Sequence, residues 1–275
     1  MTSNLWYRIK RKWCDFTVFK QLLGAGPAGS DKISLVLYFD YEREFGNVDA
    51  KDSAEKGFFA IIDILDKYDV KATWNCVGLL TEYYPETIDR IISGGHEIAS
   101  HTYSHIVPLA TPKDKLSRDI YKAKTIFKEK FNIDIKGFHS PQDAWSKSLL
   151  KILADHNFSY DIAIEREVGK HNAYYLWTLR SILTRKRPCI LRIPSVCDDW
   201  MFISRDMPPT EMLSRWKSVL SEFYHGKTIA MGFHPWVIGK DEARIDAFES
   251  FIGSLQDCKH LKIYAGKEIV RWYQI

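Results

Sequence analysis

The chain has 275 residues and a mass of 32.0 kDa, which suits one large domain or two small ones. Hydrophobic residues make up 45% and charged residues 27%, so the composition is that of an ordinary soluble globular protein. The net charge of +4 is too small to favour nucleic-acid binding, which needs a concentrated basic face. Five scattered cysteines without a Cys-x-x-Cys spacing argue against a disulfide framework and favour a reducing compartment.

The N-terminal segment combines basic residues with apolar residues at helical spacing. Asp15 and Lys20 interrupt the apolar stretch that a signal peptide would need. We therefore expect an amphipathic helix and hinge over residues 1–29, packed on the main domain, and a cytoplasmic protein. The alternative is that residues 5–23 lie on an anionic membrane, at its inner face.

From residue 33 onward, strand-like and helix-like segments alternate almost to the end of the chain. The predicted strands lie at residues 33–39, 72–77, 96–100, 135–138, 160–164, 190–193, 228–233 and 261–265. The predicted helices lie at residues 53–68, 82–92, 111–131, 147–156, 210–224 and 243–255. This alternation, without a linker, predicts one α/β domain over residues 30–275. A distorted (β/α) barrel of seven or eight strands is favoured, since no glycine-rich phosphate-binding loop follows the first strand.

Residues 94–105 contain two imidazoles four residues apart, His101 and His105, directly after a predicted strand. Side chains at this spacing share a face of a helix or tight turn, so both nitrogens can reach one metal ion. A catalytic zinc site also needs a third ligand, usually a carboxylate or another imidazole, and an open position. The rest of the chain must supply that ligand.

In a (β/α) barrel, catalytic groups come from the carboxyl ends of several strands. Carboxylates or imidazoles follow five of the predicted strands, at residues 40–42, 101–105, 139, 198–199 and 234. Any one of them alone is more often a turn or packing residue, and His96, inside a predicted strand, is interpreted as structural. The five together predict a metal-dependent active site.

The same residues fall into motifs in the order Phe-Asp-x-Glu, Gly-His-Glu-Ile-Ala-Ser-His-x-x-x-His, Phe-His-Ser-Pro, Asp-Asp-Trp and His-Pro. This series resembles the polysaccharide deacetylases of the NodB-homology group (carbohydrate esterase family four) over roughly residues 33–270. The resemblance implies a metal-dependent hydrolase that removes an N-acetyl or other N-acyl group from an amino sugar. It implies zinc as the usual metal, with Co²⁺, Ni²⁺ or Mn²⁺ as other candidates.

The resemblance also implies a set of metal ligands. His101 and His105 would bind the metal together with a carboxylate that closely follows the catalytic aspartate. The adjacent position is Tyr41, a poor ligand because a phenol has a pKa of about 10. Glu42 is therefore assigned as the third ligand, with Glu44 as the alternative.

The acid and base roles follow from the same resemblance. Asp40 would be the general base, and His234 the general acid that protonates the leaving amine. Asp199 would orient and charge-stabilise that imidazole.

The third motif contributes the oxyanion donor and one departure from the family pattern. The backbone N–H of Gln142, which follows Pro141, would help to hold the oxyanion. His139 stands where the family has an arginine that pairs with the catalytic aspartate, so the pKa of Asp40 is less firmly held down. We expect activity to be retained, because the ligand, base and acid candidates are all present.

Three tryptophans, Trp145, Trp200 and Trp236, fall beside the motifs. Stacking on a sugar is the functional interpretation, and packing that shapes the motif loops is the alternative. We place Trp200 at the substrate site and expect it mainly to pack there. For Trp145 and Trp236 both interpretations remain open.

The leading hypothesis for the function is N-deacetylation of a nucleotide-linked or lipid-linked amino sugar in surface polysaccharide or lipopolysaccharide biosynthesis. A deformylase of a lipid-linked amino sugar would use the same chemistry. His139 and Tyr41 motivate the rival from another class, a catalytically impaired carbohydrate-binding relative. A hydrolase of small amides in nitrogen metabolism shares the fold family.

Overall fold

A computed structural model describes residues 18–164, 172–178, 182–183, 190–203, 206–221 and 225–273. The strands in this part of the chain are β1 Val18–Leu22, β2 Ile33–Tyr41, β3 Thr73–Cys76, β4 Glu97–Ser100, β5 Gly137–His139, β6 Tyr160–Ile164, β7 Tyr174–Thr178, β8 Ile190–Asp198, β9 Thr228–Phe233 and β10 Leu261–Ile263. The helices are α1 Lys51–Lys67, α2 Leu80–Tyr83, α3 Pro85–Ser93, α4 Lys113–Phe131, α5 Lys147–Asp155, α6 Trp200–Ile203, α7 Pro209–Ser221, α8 Pro235–Ile238, α9 Glu242–Gln256 and α10 Gly266–Tyr273.

Seven parallel strands close into a barrel in the order β2-β3-β4-β5-β6-β8-β9, and β9 pairs again with β2. Strand β2 is buried over its whole length, because it pairs on both sides and both of its faces are covered. The barrel prediction is therefore confirmed, with seven strands in the closed ring. The predicted eighth strand exists as β10, which extends the sheet beside the first residues of β2.

Successive side chains of β2 alternate between two apolar layers. Leu35, Leu37 and Phe39 belong to the larger core, under the surrounding helices. Val36 and Tyr38 point into the barrel, where they pack with residues of β6, β8 and β9 and with α10. Since apolar side chains and α10 fill this interior, the polar groups of the barrel collect at the opposite, carboxyl ends of the strands.

Two antiparallel strands were not expected from the sequence. Strand β7 pairs with β8, and β1 pairs with β7 along all five of its residues. The predicted N-terminal helix extends through residue 23, and it is wrong over residues 18–22, because these satisfy their backbone groups by pairing with β7. The remainder of that prediction, residues 1–17, lies outside the described residues, as does most of the predicted membrane contact. Among the described helices, none combines the length and apolar character that crossing a bilayer requires.

The predicted hinge at residues 24–29 lies closely against the barrel. The N–H of Gly26 donates to the carbonyl of Gly226 at 3.2 Å. A Cβ at Gly26 would lie 2.4 Å from Oγ1 of Thr228 and 2.5 Å from Oγ of Ser34, so only glycine fits there.

Helix α1 and the turn that contains α8 touch backbone to backbone. A Cβ at Gly57 would lie 1.9 Å from the carbonyl oxygen of Pro235, and one at Gly239 would lie 1.9 Å from that of Ser53. We expect Gly57→Ala to lower the free energy of unfolding by about 1–3 kcal/mol, because the two backbones must move apart. Urea denaturation measures the change. Gly24→Ala is the control, since no atom of the described residues lies within 4 Å of its added Cβ. Equal losses of unfolding free energy in both variants would contradict the prediction.

His96 has the environment of a structural residue. Its Nδ1 accepts a hydrogen bond from the backbone N–H of Ala72 at 3.2 Å, and its ring lies beside Trp74. Burial, assisted by the charge of Lys71, lowers the pKa of His96 from 6.5 to about 4.

This lowered pKa makes stability depend on pH. Between pH 6.5 and about 4, the unfolded chain binds a proton at residue 96 that the folded chain does not bind. The free energy of unfolding should therefore fall on acidification through this window, by up to about 3 kcal/mol from His96 alone. Urea titrations at several pH values should show a smaller slope for His96→Gln than for the wild type. An unchanged slope would contradict the assignment.

Candidate active site

The predicted site residues meet at the carboxyl ends of the barrel strands. Strands β2, β4, β5, β8 and β9 each end at or just before one or two of them. The site gathers four carboxylates and four imidazoles, each with a side chain no more than 11% exposed: Asp40, Glu42, Asp198, Asp199, His101, His105, His139 and His234. So many buried ionisable groups are tolerated only where they neutralise one another or bind a cation.

Glu42, His101 and His105 form a cluster that fits a metal ion. Their ligand atoms lie within 4.8 Å of one another, and Glu42 Oε2 is 2.8 Å from His105 Nε2 and 3.6 Å from His101 Nε2. Nδ1 of His101 lies 3.0 Å from the carbonyl of His139, which holds a proton at Nδ1 and leaves the lone pair at Nε2. Among the described residues, the buried Nε2 of His105 has no aligned hydrogen-bond partner. Two imidazoles and one carboxylate are a donor set that zinc uses in catalytic sites.

A strained turn, and not a helix, brings the two imidazoles together. Thr102 and His105 have φ angles of 65° and 55°, in the left-handed region that side chains rarely adopt. Asp119, on helix α4, holds this turn by accepting hydrogen bonds from the N–H of Tyr103 at 2.8 Å and from the hydroxyl of Ser104 at 2.5 Å. Asp119 is thus a supporting residue that the histidine spacing does not indicate.

The structure places Glu42, and not Glu44, beside the imidazoles. The carboxylate of Glu44 accepts a hydrogen bond from the hydroxyl of Tyr84 and lies outside the histidine cluster. Tyr41 stacks on Phe58 in the helix layer, with ring centroids 4.7 Å apart. Because neighbouring side chains of a strand face opposite ways, Tyr41 points away from the site.

Asp40 lies between two imidazoles. Its Oδ2 is 3.2 Å from His139 Nε2 and 3.6 Å from His234 Nε2, and its Oδ1 accepts a hydrogen bond from Asn75 Nδ2 at 2.8 Å. Burial would raise the pKa of Asp40, but the charge of His139 prevails and holds the pKa below its usual range. Asp40 is therefore ionised at neutral pH, as a general base must be.

His139 supplies a positive charge at the position where the resemblance expects an arginine. Its Nδ1 donates to the carbonyl of Ile162 at 2.8 Å, which turns Nε2 toward Asp40. Burial opposes protonation, but the charge of Asp40 outweighs burial and raises the pKa of His139 to about 9. An imidazolium can therefore pair with Asp40 as an arginine would.

Asp199 fixes the orientation of His234. One carboxylate oxygen of Asp199 lies 2.7 Å from His234 Nδ1. The other oxygen accepts a hydrogen bond from the backbone N–H of His234 at 2.9 Å. Burial lowers the pKa of His234, but the charges of Asp198 and Asp199 prevail and raise it well above 6.5. His234 is thus held as an imidazolium with Nε2 directed at Asp40, an arrangement suited to proton donation.

The tryptophans beside the motifs have different environments. Trp200 is 58% exposed, so the expectation that it packs in the wall is wrong. The cause is Asp198, whose carboxylate accepts the backbone N–H of Trp200 at 2.9 Å and so begins α6 with the indole facing outward. Trp145 is buried under the guanidinium of Arg192, 4.8 Å from the ring centroid, which makes it a packing residue.

The predicted oxyanion donor lies in the turn Pro141–Asp143, where Gln142 has a φ of 58°. The hydrogen bonds that close this turn use the N–H groups of Asp143 and Ala144, so that of Gln142 is not needed for closure. Asp143 also accepts the N–H of Ile164 at 2.9 Å, which fastens the turn to β6. The oxyanion role of Gln142 stays a prediction.

Comparison with known proteins agrees with the motifs. Residues 29–160 match the family described as polysaccharide deacetylase. A peptidoglycan deacetylase of Helicobacter pylori is 27% identical over 124 residues, 42% of this chain and 42% of that protein. A peptidoglycan-N-acetylglucosamine deacetylase of Bacillus cereus is 31% identical over 98 residues, 36% of each. The matched segments thus span at most 42% of these two relatives.

Solved structures of low sequence identity share the fold. A Mycobacterium smegmatis protein described as a polysaccharide deacetylase has a TM-score of 0.78 at 19% identity, covering 91% of this chain and 93% of that one. PuuE allantoinase has a TM-score of 0.74 at 18% identity, covering 89% and 91%. A protein described as a deacetylase and one described as an allantoinase thus share this barrel, so the fold alone does not select a substrate. Over residues 29–160, just under half of its length, this chain thus matches the polysaccharide deacetylase family.

Proposed function

We propose that this chain is a metal-dependent N-deacetylase that removes the acetyl group of an N-acetylated amino sugar. One observation carries the proposal: a buried cation-binding cluster lies directly beside a buried base and acid. Asp40 Oδ1 is 3.9 Å from Nδ1 of the ligand candidate His101, and Asp40 Oδ2 is 3.6 Å from His234 Nε2. The family and the deacetylase relatives support the same activity.

Each group of the site has a role in amide hydrolysis. Glu42, His101 and His105 would hold a divalent cation, which when bound polarises an amide carbonyl and lowers the pKa of water. Asp40 accepts the proton of the attacking water as its oxygen bonds to the acyl carbon. His234 gives the proton of Nε2 to the amine nitrogen as the carbon–nitrogen bond breaks. The products are acetate and the free amino sugar.

Zn²⁺ is the cation that we propose, since two imidazoles and one carboxylate suit it. Co²⁺, Ni²⁺ and Mn²⁺ share enough of this preference to substitute for it. Metal analysis of the protein purified without chelators identifies the ion.

The substrate that we propose is a saccharide containing N-acetylglucosamine, because the relatives from H. pylori and B. cereus are described as peptidoglycan deacetylases. Within that class we propose a nucleotide-linked or lipid-linked precursor of a surface polysaccharide, handled in the cytoplasm. The support is that the cysteines in the described part of the chain, Cys76, Cys197 and Cys258, are free thiols, as in a reducing compartment.

The test is release of acetate from three N-acetylated substrates: a nucleotide-linked sugar, a lipid-linked sugar and a chitooligosaccharide. We expect acetate and a free amine from at least one of them, loss of activity after chelation and recovery with Zn²⁺. Bound metal without hydrolysis of any substrate would overturn the proposal in favour of a carbohydrate-binding protein. Formate release from an N-formyl sugar, or hydrolysis of small non-sugar amides alone, would replace it by the corresponding hydrolase.

A further inference from the structure

We propose that Trp236 is a positioning residue that makes Glu42 present a single oxygen to the cation. Its indole Nε1 donates a hydrogen bond to Glu42 Oε1 at 3.0 Å. The other oxygen, Oε2, is the one that faces His105 and His101, at 2.8 Å and 3.6 Å. The two carboxylate oxygens are thus divided between an N–H donor and the histidine cluster. This inference rests on the proposed metal centre and adds a residue that the motif pattern leaves without a role.

The indole is held rigidly enough to impose this division. Trp236 lies in α8, whose backbone packs directly on α1 at Gly57 and Gly239. Its ring meets the His234 ring edge-on, with centroids 5.7 Å apart and an interplanar angle of 63°. An N–H on a docked turn loses little conformational freedom when it holds a carboxylate in place.

The carboxylate is confined from a second side as well. A Cβ at Gly46 would lie 2.2 Å from Cδ of Glu42, so the backbone at Gly46 lies directly against the carboxylate. Glu42 therefore sits between the Gly46 backbone and the Trp236 indole. Rotation that would turn both oxygens toward the histidines must break the indole hydrogen bond.

A single-oxygen carboxylate has a functional consequence. Two imidazole nitrogens and one oxygen would hold a cation with room left for substrate and water, as a catalytic site requires. Because Trp236 follows His234 by two residues, the same turn also sets the distance between the ligand Glu42 and the proton donor. The hydrogen bond thus couples metal binding to the position of the acid.

Trp236→Phe tests the inference, because phenylalanine keeps an aromatic ring and removes the N–H. We expect the metal-free variant to fold normally by circular dichroism and to bind Zn²⁺ about 10- to 100-fold more weakly in competition with a chromophoric chelator. The visible spectrum of the Co²⁺-loaded variant should lose intensity, since Glu42 is then free to supply both oxygens and raise the coordination number.

Trp272→Phe is the matched control. Trp272 is 56% exposed, and its indole N–H donates to the carbonyl of Ala25 at 3.3 Å, at the amino end of the barrel. This variant also loses one indole hydrogen bond, and we expect its Zn²⁺ affinity and Co²⁺ spectrum to equal those of the wild type.

Wild-type affinity and an unchanged Co²⁺ spectrum in Trp236→Phe would overturn the inference. An increase in KM for the saccharide with both metal readouts unchanged would overturn it too, and would assign the indole to sugar stacking. The proposed function fails in a different way, through absence of acyl release by the wild type. Metal affinity that depends on Trp236 in such an inactive protein would still support the positioning role.

Discussion

Asp40→Asn is expected to lower kcat on an N-acetylated saccharide by about 10³-fold while leaving Zn²⁺ affinity within a few-fold of the wild type. The asparagine side chain has the same size and can still accept the hydrogen bond from Asn75 Nδ2, which is 2.8 Å from Oδ1 in the wild type. It has no charge and cannot take up the proton of the attacking water. Turnover on a chitooligosaccharide and chelator competition for Zn²⁺ measure the two effects separately.

Asp155→Asn is the control for this substitution. Its side chain is 60% exposed and pairs with Lys151 on the surface, so activity and metal affinity should be unchanged. Retention of more than a tenth of wild-type turnover in Asp40→Asn would show that another group is the base. Loss of the metal together with turnover would show that Asp40 is a metal ligand. Asp40 does lie in a second buried cluster, with His139 and Asp198, whose possible ligand atoms are also within 4.8 Å of one another.

The sequence predicted the position of the site well because the barrel itself is encoded locally. Strand β2 is a continuous apolar run buried on both faces, and the helices carry their apolar residues at a period near four. Once parallel strands alternate with helices, their carboxyl ends must meet at one end of the barrel. Asp40, His101, His139 and His234, far apart along the chain, could therefore be predicted to lie together.

What the sequence could not predict depends on contacts between distant segments. Strand β1 forms because β7 lies beside it and pairs with it. The apolar residues of β1 have a helical spacing, so the sequence of this segment alone predicts a helix. Asn75 and Asp119 support the site through the direction in which their side chains point, which no spacing encodes. Asn75 pairs with Asp40 in the register of β2 and β3. Its position near the carboxyl end of a predicted strand is the sequence feature that could have identified it.

His139, which stands where the family pattern has an arginine, shows that the charge of a side chain also depends on contacts between distant segments. From the sequence, an imidazole in place of arginine holds down the pKa of Asp40 less firmly, because a histidine is not always charged. The charge depends on the neighbourhood: Asp40 lies 3.2 Å away and outweighs the effect of burial, so the pKa of His139 rises to about 9. Only the folded geometry supplies this distance.

His234→Asn is expected to lower kcat on an N-acetylated saccharide by about 10²- to 10³-fold and to affect an activated aryl acetate far less. Asparagine places its Nδ2 near the position of the histidine Nδ1, so the hydrogen bond to Asp199, 2.7 Å long in the wild type, can be kept. The Nε2 proton is lost. An amine must be protonated to leave, whereas a phenolate of low pKa leaves without a proton, so the two substrates separate acid catalysis from the rest of the mechanism.

The ratio of the two losses decides the role of His234. A loss at least ten times larger on the amide than on the aryl ester assigns His234 as the acid, because only the amide needs its proton. Equal losses on both substrates would contradict that role and would indicate that His234 acts on Asp40, whose Oδ2 lies 3.6 Å from Nε2. Asp199→Asn is the matched comparison, since it keeps the imidazole and removes one of the two carboxylate charges, Asp198 and Asp199, that keep His234 protonated. The loss of kcat in Asp199→Asn should also be larger on the amide than on the aryl ester. This loss should increase with pH, because the imidazole of His234 gives up its proton more readily in the variant.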